Sequence, residues 1–217
     1  MMIMMAIRPY TPREEIANAA THGGGFIASL LGLCWLIVTA VRYGDARRVL
    51  GGALFGGAAL LLFAASTLYH NARSPRLKFV LRKVDHCAIY ILIAATYSAF
   101  TLSVMRDRVG WILFASVWTL AAIGIAAEIV HRATKPLAAA LMYVAMGWIG
   151  LLTIRELILS LTSTQLGWVV AGGICYTAGV PFYVAKSRLY AHSVWHLFVL
   201  AGVGCHYLAV LSVMRTQ

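Results

Sequence analysis

The sequence predicts an all-α membrane protein: a bundle of seven transmembrane helices forming one domain over residues 1–217. Of the 217 residues, 61% are hydrophobic and 12% are charged, and the mean hydropathy is +0.82. A soluble domain of this size could not bury so much apolar surface. Apolar runs long enough to cross about 30 Å of hydrocarbon recur along the chain, separated by short segments that contain Lys and Arg.

Prolines, glycines and charges delimit the seven predicted helices. Pro9 and Pro12 interrupt the N-terminal segment, and Pro136 begins the fifth helix. Pro181 is expected to bend the last turn of the sixth helix. The basic segment 71–83 and the segment 161–165 are predicted loops. The predicted helices span about 15–41, 49–69, 85–105, 109–130, 136–156, 166–185 and 191–213.

The charge distribution predicts the orientation. A net charge of +11 would suggest nucleic acid in a soluble protein. Here the Lys and Arg residues lie in short loops, where they act as topology signals and contact anionic lipid, so no nucleic-acid partner is expected. Basic residues are more numerous on the side of the N-terminus, which we therefore place in the cytoplasm, with the C-terminus outside. We expect a multi-pass protein of the inner (plasma) membrane, with membrane lipids as partners.

Polar side chains converge at one depth of this predicted bundle. Ionisable residues within a membrane are costly and usually functional. Four helices bring such residues close to the inner leaflet, whereas the outer halves of these helices contain few. The converging residues are Glu15, Asn18, His22, His70, Asp85, His86, His192 and His196.

The histidine spacing predicts a metal site. His192 and His196 are four residues apart, so on a helix their rings lie one turn apart on one face. With His70 they provide three imidazoles and an open fourth position, the pattern of a catalytic zinc site. Zinc lowers the pKa of a bound water. Asp85 is the candidate to hold that water or take its proton, and Ser66 could orient the site through a hydrogen bond.

Other interpretations of the histidines stay open. An HxxxH pair can simply form hydrogen bonds between helices, and His70 and His192 could be axial ligands of a haem. The cluster could also relay protons in a transporter. Three histidines favour zinc, although imidazole also suits iron and manganese.

The remaining polar residues have structural interpretations beside functional ones. Glu15, Asn18 and His22 are expected to cap the first helix and clamp it against its neighbours, or else to support catalysis. His206, ten residues after His196, is either a further supporting residue or a buried polar tie between helices. We also expect Glu128 to pair with Arg132, and the rings of His86 and His131 to lie near lipid headgroups.

At these residues the sequence resembles the progestin and adiponectin receptor family. Three of its signature motifs correspond, in order, to Glu15-x-x-Asn18-x-x-Thr21-His22, Ser66-x-x-x-His70 followed by Asp85, and His192-x-x-x-His196. The phrases ASTLYH and HLFVLAG are typical of its bacterial branch, hemolysin III. The resemblance spans all seven predicted helices. It implies a cytoplasmic N-terminus and zinc near the inner leaflet, with His70, His192 and His196 as ligands and Asp85 contacting the zinc-bound water.

The resemblance also implies lipid chemistry. The receptors resemble ceramide-type lipid hydrolases, and a related alkaline ceramidase family shares the metal chemistry. Receptor signalling is not expected, because the segment before the first predicted helix is short. We expect a zinc-dependent hydrolase that acts on an amide or ester bond of a membrane lipid. The alternative is a membrane-homeostasis or haemolytic, pore-related protein in which the metal is structural or sensory and there is no hydrolase activity.

Overall fold

A computed structural model describes residues 9–130, 136–185 and 187–215. These residues form eight α-helices and one 3-10 helix, and they contain no β-strand. The predicted all-α class is confirmed. In chain order the helices are α1 (Pro12–Tyr43), α2 (Ala46–Asn71), α3 (Pro75–Thr101), α4 (Arg108–Val130), α5 (Pro136–Gly147), the 3-10 helix (Ile149–Thr153), α6 (Ile154–Ser160), α7 (Ser163–Val184) and α8 (Ala191–Arg215).

Six helical segments in the described ranges are long and apolar enough to cross a membrane. They are α1, α2, α4, α7, α8 and the combined segment Pro136–Ser160, which contains α5, the 3-10 helix and α6. The protein is therefore an integral, multi-pass membrane protein. The helix α3 has 27 residues and packs between α2 and α4, but its first turns carry several Arg and Lys residues. A seventh crossing by α3 stays a prediction.

The helix α1 begins at Pro12, earlier than predicted, because Thr11 and Glu14 form a capping box at its start. The Thr11 hydroxyl accepts the Glu14 N–H at 3.3 Å, and the Glu14 carboxylate accepts the Thr11 N–H at 2.9 Å. Proline suits the first helical position because its missing N–H would have no partner there. Glu14 also accepts the N–H of Tyr190 at 3.0 Å, which ties the start of α1 to the segment before α8.

The prediction that residues 71–83 form a loop is wrong for most of the segment. The helix α3 begins at Pro75, ten residues before the predicted start. Proline at the first position again explains the boundary, and the Arg and Lys side chains extend from a helical surface. Asp85 consequently lies about three turns into α3 rather than at its beginning.

Two further boundaries differ from the predictions. The predicted helix 136–156 is broken after Gly147, where the Tyr97 hydroxyl donates to the Gly147 carbonyl at 2.6 Å and accepts the Gly150 N–H at 3.0 Å. This side chain satisfies backbone groups that the break exposes. The predicted loop 161–165 is already helical from Ser163, because Thr162 and Gln165 form a second capping box.

Small residues allow the helices around the site to approach closely. The helix α2 packs on α1 and on α3, and α8 packs on α1 and on α7. A Cβ atom at Gly51 in α2 would lie only 3.1 Å from the Ala99 Cα in α3. Small residues commonly occupy such contacts in membrane bundles. The packing brings the start of α1, the end of α2, the third turn of α3 and the start of α8 to one end of the bundle.

Candidate metal centre

Three histidines form a group that could hold one metal ion. One ring nitrogen from each of His70, His192 and His196 lies within 4.8 Å of the other two. The ring centroids are 5.2 Å apart for His70–His192, 5.1 Å for His70–His196 and 4.5 Å for His192–His196. His70 is 3% exposed and His196 is 1% exposed. The fold thus brings together the three predicted ligands from the end of α2 and the first turns of α8.

Hydrogen bonds to α1 hold two of these rings in a defined orientation. The Nδ1–H of His70 donates to the Glu15 carboxylate at 2.6 Å, and the Nδ1–H of His196 donates to the Asn18 carbonyl at 3.2 Å. Because both acceptors lack a proton, Nε2 of each neutral ring carries a lone pair. Nε2 of His70 is buried and has no hydrogen-bond partner among the described residues. Metal-ligating histidines usually donate their other N–H to such acceptors, so the donor set fits a metal ion.

The polar face of α1 clamps the ligand-bearing helices. Asn18 is fully buried, and its side-chain oxygen accepts the Ser193 hydroxyl at 2.6 Å. Glu15 accepts from Lys78 at 2.7 Å as well as from His70, so one carboxylate links α1, α2 and α3. These contacts of Glu15 and Asn18 join α1 to its neighbouring helices, as a clamping role would require. Lys78 and Ser193 were missed in the sequence, and Lys78 lies in the segment predicted to be a loop.

His22 lies against the group without belonging to it. Its ring stacks on His196 with a centroid distance of 3.6 Å and an interplanar angle of 13°. The His22 and Phe63 rings are arranged edge to face, with a centroid distance of 5.0 Å. Both ring nitrogens are buried, and neither has a hydrogen-bond partner within the part of the chain that the structure describes. His22 therefore forms a wall of the site behind the His196 ring.

Asp85 and Ser66 line a small cavity beside the histidines. The cavity has a volume of about 20 Å³, and His192 and His196 contribute to its walls. This volume can hold one water molecule. Asp85 is buried, and so is the Ser66 hydroxyl. Asp85 is not part of the three-histidine group, and its predicted role on a water does not require it to be.

Tyr10 covers the histidines from the segment that precedes α1. Its ring stacks on His192 with a centroid distance of 5.1 Å and an interplanar angle of 22°. Burial raises the pKa of the Tyr10 hydroxyl above its usual value. No periodic pattern marked this residue, because its position over the site depends on how the chain enters α1.

His206 and His86 lie outside the three-histidine group. The Nε2–H of His206 donates to the Val169 carbonyl at 3.1 Å and so connects α8 to α7. His86 is bonded through Nδ1 to the Glu128 carboxylate at 3.0 Å, between α3 and α4. His86 therefore faces a neighbouring helix rather than only the lipid headgroups. The expected partner Arg132 and the expected interfacial residue His131 lie outside the described residues.

An apolar cavity of about 140 Å³ adjoins the site. Side chains from α2, α3, α4, α7, α8 and the segment Pro136–Ser160 line it. Four of its lining residues also line the small cavity beside the histidines, so the two spaces share a wall. These residues are Leu62, Ile89, Trp195 and Val199. Hydropathy along the chain does not reveal this space, because it arises only when the helices pack.

Comparison with known proteins identifies the family. Residues 10–207 match the family described as Haemolysin-III related. The chain is 38% identical over 202 residues to the Hemolysin-3 homolog of Bacillus subtilis (strain 168), covering 93% of this chain and 95% of that protein. It is 40% identical over 201 residues to Hemolysin-3 of Bacillus cereus, covering 92% and 91%.

A more distant relative supports the wider link to the progestin and adiponectin receptor family. The human monocyte to macrophage differentiation factor is 27% identical over 219 residues, with 91% of this chain and 83% of that protein covered. The sequence motifs and these matches agree, and the predicted family is confirmed. The chain belongs to the haemolysin III family.

Proposed function

We propose that this protein is a zinc-dependent hydrolase of an amide or ester bond in a membrane lipid. The supporting observation is the group formed by His70, His192 and His196, with the Nδ1–H of His70 and of His196 held by acceptors on α1. Zinc held by these rings would polarise a carbonyl and lower the pKa of a water. Three imidazoles with an open fourth position suit this chemistry.

The residues around the group would move the protons. A water in the small cavity would lose a proton to the Asp85 carboxylate as it attacks the substrate carbonyl. Asp85 would then return that proton to the leaving nitrogen or oxygen as the amide or ester bond breaks. The Ser66 hydroxyl lines the same cavity and could hold the water or the carboxylate in place. Glu15 and Asn18 keep two of the imidazoles in the required tautomer.

The apolar cavity supports a lipid substrate. Its shared wall with the small cavity would allow an acyl chain to lie among the helices while the carbonyl lies near the histidines. We further propose that α3 is the seventh crossing and that the N-terminus is cytoplasmic, in the inner (plasma) membrane. The histidine group would then lie near the inner leaflet, where lipid enters from the side.

Metal content tests the proposal. Elemental mass spectrometry on protein purified in detergent without chelators should find about one zinc per chain in the wild type. His70→Ala and His192→Ala should each lose it. His206→Ala is the matched control, because this partly buried histidine of α8 lies outside the group and its replacement should leave the zinc in place. A wild type without stoichiometric metal would contradict the proposal.

Hydrolysis requires a separate test. Asp85→Asn should retain the zinc and release fatty acid from acyl amides or esters about 10²–10⁴-fold more slowly, because the base is lost. The assay compares fatty-acid release by wild-type and variant protein from vesicles containing a ceramide-type amide or a phospholipid ester. Equal rates in the two proteins would remove Asp85 from the mechanism.

The names of the bacterial relatives favour a second candidate. Two of them are called Hemolysin-3 or its homolog, so a membrane-active protein with a structural or sensory metal is the alternative. His196→Ala discriminates between the two functions. Loss of metal together with loss of lipid hydrolysis favours the hydrolase, whereas loss of metal with unchanged lysis of erythrocytes favours the alternative.

A further inference from the structure

Two residues that line the apolar cavity each carry a buried polar atom without a hydrogen-bond partner in the described part of the chain. His206 and Tyr176 both line it. Nδ1 of His206 and the hydroxyl of Tyr176 are buried and have no hydrogen-bond partner among the residues that the structure describes. The two rings are neighbours, with centroids 5.5 Å apart in an edge-to-face arrangement. Buried polar groups without partners are rare in folded proteins and usually mark a missing water or ligand.

The hydrogen bond on the other side of His206 determines what this pair can bind. Because Nε2–H donates to the Val169 carbonyl, the neutral ring presents Nδ1 as an acceptor. The Tyr176 hydroxyl can donate. Together they complement a hydroxyl group, which donates one hydrogen bond to Nδ1 and accepts another from Tyr176. A methylene chain, in contrast, would leave both groups unsatisfied.

Glycines make room for these two rings at the contact between α7 and α8. A Cβ atom at Gly202 would lie 2.6 Å from the Tyr176 ring, so only glycine allows the observed packing. Gly172 similarly faces the His206 ring. The polar pair therefore has a defined position in a wall that is otherwise largely apolar.

The position of the pair relates it to the metal group. His206 follows His196 by ten residues on the same helix, which places it about 15 Å farther along the bundle at about 1.5 Å per residue. The apolar cavity extends from the wall shared with the histidine site to this pair. An acyl chain whose carbonyl lies at the histidines would thus pass His206 partway along its length.

We propose that His206 and Tyr176 bind a hydroxyl group carried partway along the acyl chain, so that the protein selects lipids with hydroxylated acyl chains. This inference rests on the proposed function for the position of the lipid carbonyl. It adds a specificity determinant at a distance from the reacting bond. The pair contacts the chain and takes no part in bond cleavage.

Fatty-acid binding tests the inference independently of hydrolysis. The probes are octadecanoic acid and two isomeric hydroxyoctadecanoic acids, one with the hydroxyl midway along the chain and one with the hydroxyl next to the carboxylate. Each is used to displace a fluorescent fatty acid from the full-length protein in detergent. The wild type should bind a mid-chain hydroxy acid about tenfold more tightly than octadecanoic acid, as two net hydrogen bonds allow. The isomer with the hydroxyl next to the carboxylate should show no such preference.

The variant Tyr176→Phe removes one hydroxyl and keeps the ring. It should abolish the preference and leave the affinity for octadecanoic acid unchanged. Tyr207→Phe is the matched control, because its hydroxyl contacts the Gly32 carbonyl of α1 and does not line the cavity. The inference is overturned if the wild type shows no mid-chain preference, if it binds neither acid, or if Tyr176→Phe retains the preference. This assay measures fatty-acid binding and not hydrolysis. A protein that prefers the mid-chain hydroxy acid but hydrolyses no lipid would therefore contradict the proposed function without contradicting this inference.

Discussion

Glu15 connects α1 to the group formed by His70, His192 and His196. Its carboxylate accepts from the His70 Nδ1–H at 2.6 Å and from Lys78 at 2.7 Å. A carboxylate in this position holds the imidazole tautomer and makes Nε2 a better ligand. The polar start of α1 therefore contacts the histidine group directly.

Replacing Glu15 by Gln should weaken zinc binding by about 10–100-fold, because the neutral amide polarises His70 less than the carboxylate does. Competition with a zinc-chelating dye in detergent measures the affinity. Glu156→Gln provides the control, since Glu156 pairs with Arg155 in α6 and is not part of the histidine group. An unchanged zinc affinity in Glu15→Gln would show that this carboxylate does not act on the ligand.

An ion pair between Asp45 and Arg106 connects two interhelical segments at the end of the bundle opposite the histidine group. Asp45 caps α2 by accepting the Arg48 N–H at 3.0 Å, and it contacts Arg106 through two pairs of atoms at 2.5 and 2.9 Å. The hydrogen bond from Arg106 lowers the pKa of the Asp45 carboxyl to about 2. The pair joins the α1–α2 turn to the segment before α4.

The lowered pKa defines the expected pH dependence of stability. The ion pair contributes fully above the ordinary pKa of 3.8, and this contribution is lost as the pH falls through about 2. Asp45→Asn keeps the cap and removes the charge, so it should destabilise the protein at neutral pH by at most about 1 kcal/mol, as for other exposed pairs. Thermal unfolding in detergent should show this difference at neutral pH and only a small part of it near pH 2, where about half of the folded-state carboxyls are protonated. A pH-independent difference would contradict the assignment.

The contact between α2 and α3 allows a matched comparison of glycines. A Cβ at Gly51 would meet the Ala99 backbone at 3.1 Å, whereas a Cβ at Gly57 would have no atom of another helix within 4 Å in the described structure. Gly51→Ala should therefore destabilise the protein by about 1–3 kcal/mol, because the two helices must separate. Gly57→Ala should be neutral or slightly stabilising. Unfolding in detergent measures both, and equal effects would argue against close packing at Gly51.

For the whole molecule, the number of crossings decides where the termini lie. Seven crossings place the N-terminus and the C-terminus on opposite sides, whereas six place them on the same side. Reporter fusions at the C-terminus should show alkaline phosphatase activity and no fluorescence from green fluorescent protein, as expected for an external C-terminus. The opposite pattern, together with a cytoplasmic N-terminus, would mean that α3 does not cross the membrane.

Much of the site was predictable because it depends on local patterns. The HxxxH spacing places His192 and His196 on one helix face whatever the fold, and the apolar runs that follow identify membrane helices. His70 at the end of a second run could be assigned to the same depth from the order of the helices alone. Lys78 could not be assigned to the site from the sequence, because its segment lacks the hydropathy of a membrane helix. Its contact with Glu15 depends on how α3 packs.

The sequence by itself determined the helical class, the family and the three histidines, because these follow from composition, from spacing within single helices and from the order of the helices. Tertiary structure decided which acceptors hold His70 and His196, the position of Tyr10 over His192, and the cavity that His206 and Tyr176 share. These features join residues that are far apart in the chain. Their distances are set by side-chain packing between helices, which the hydrophobic periodicity of each helix does not specify.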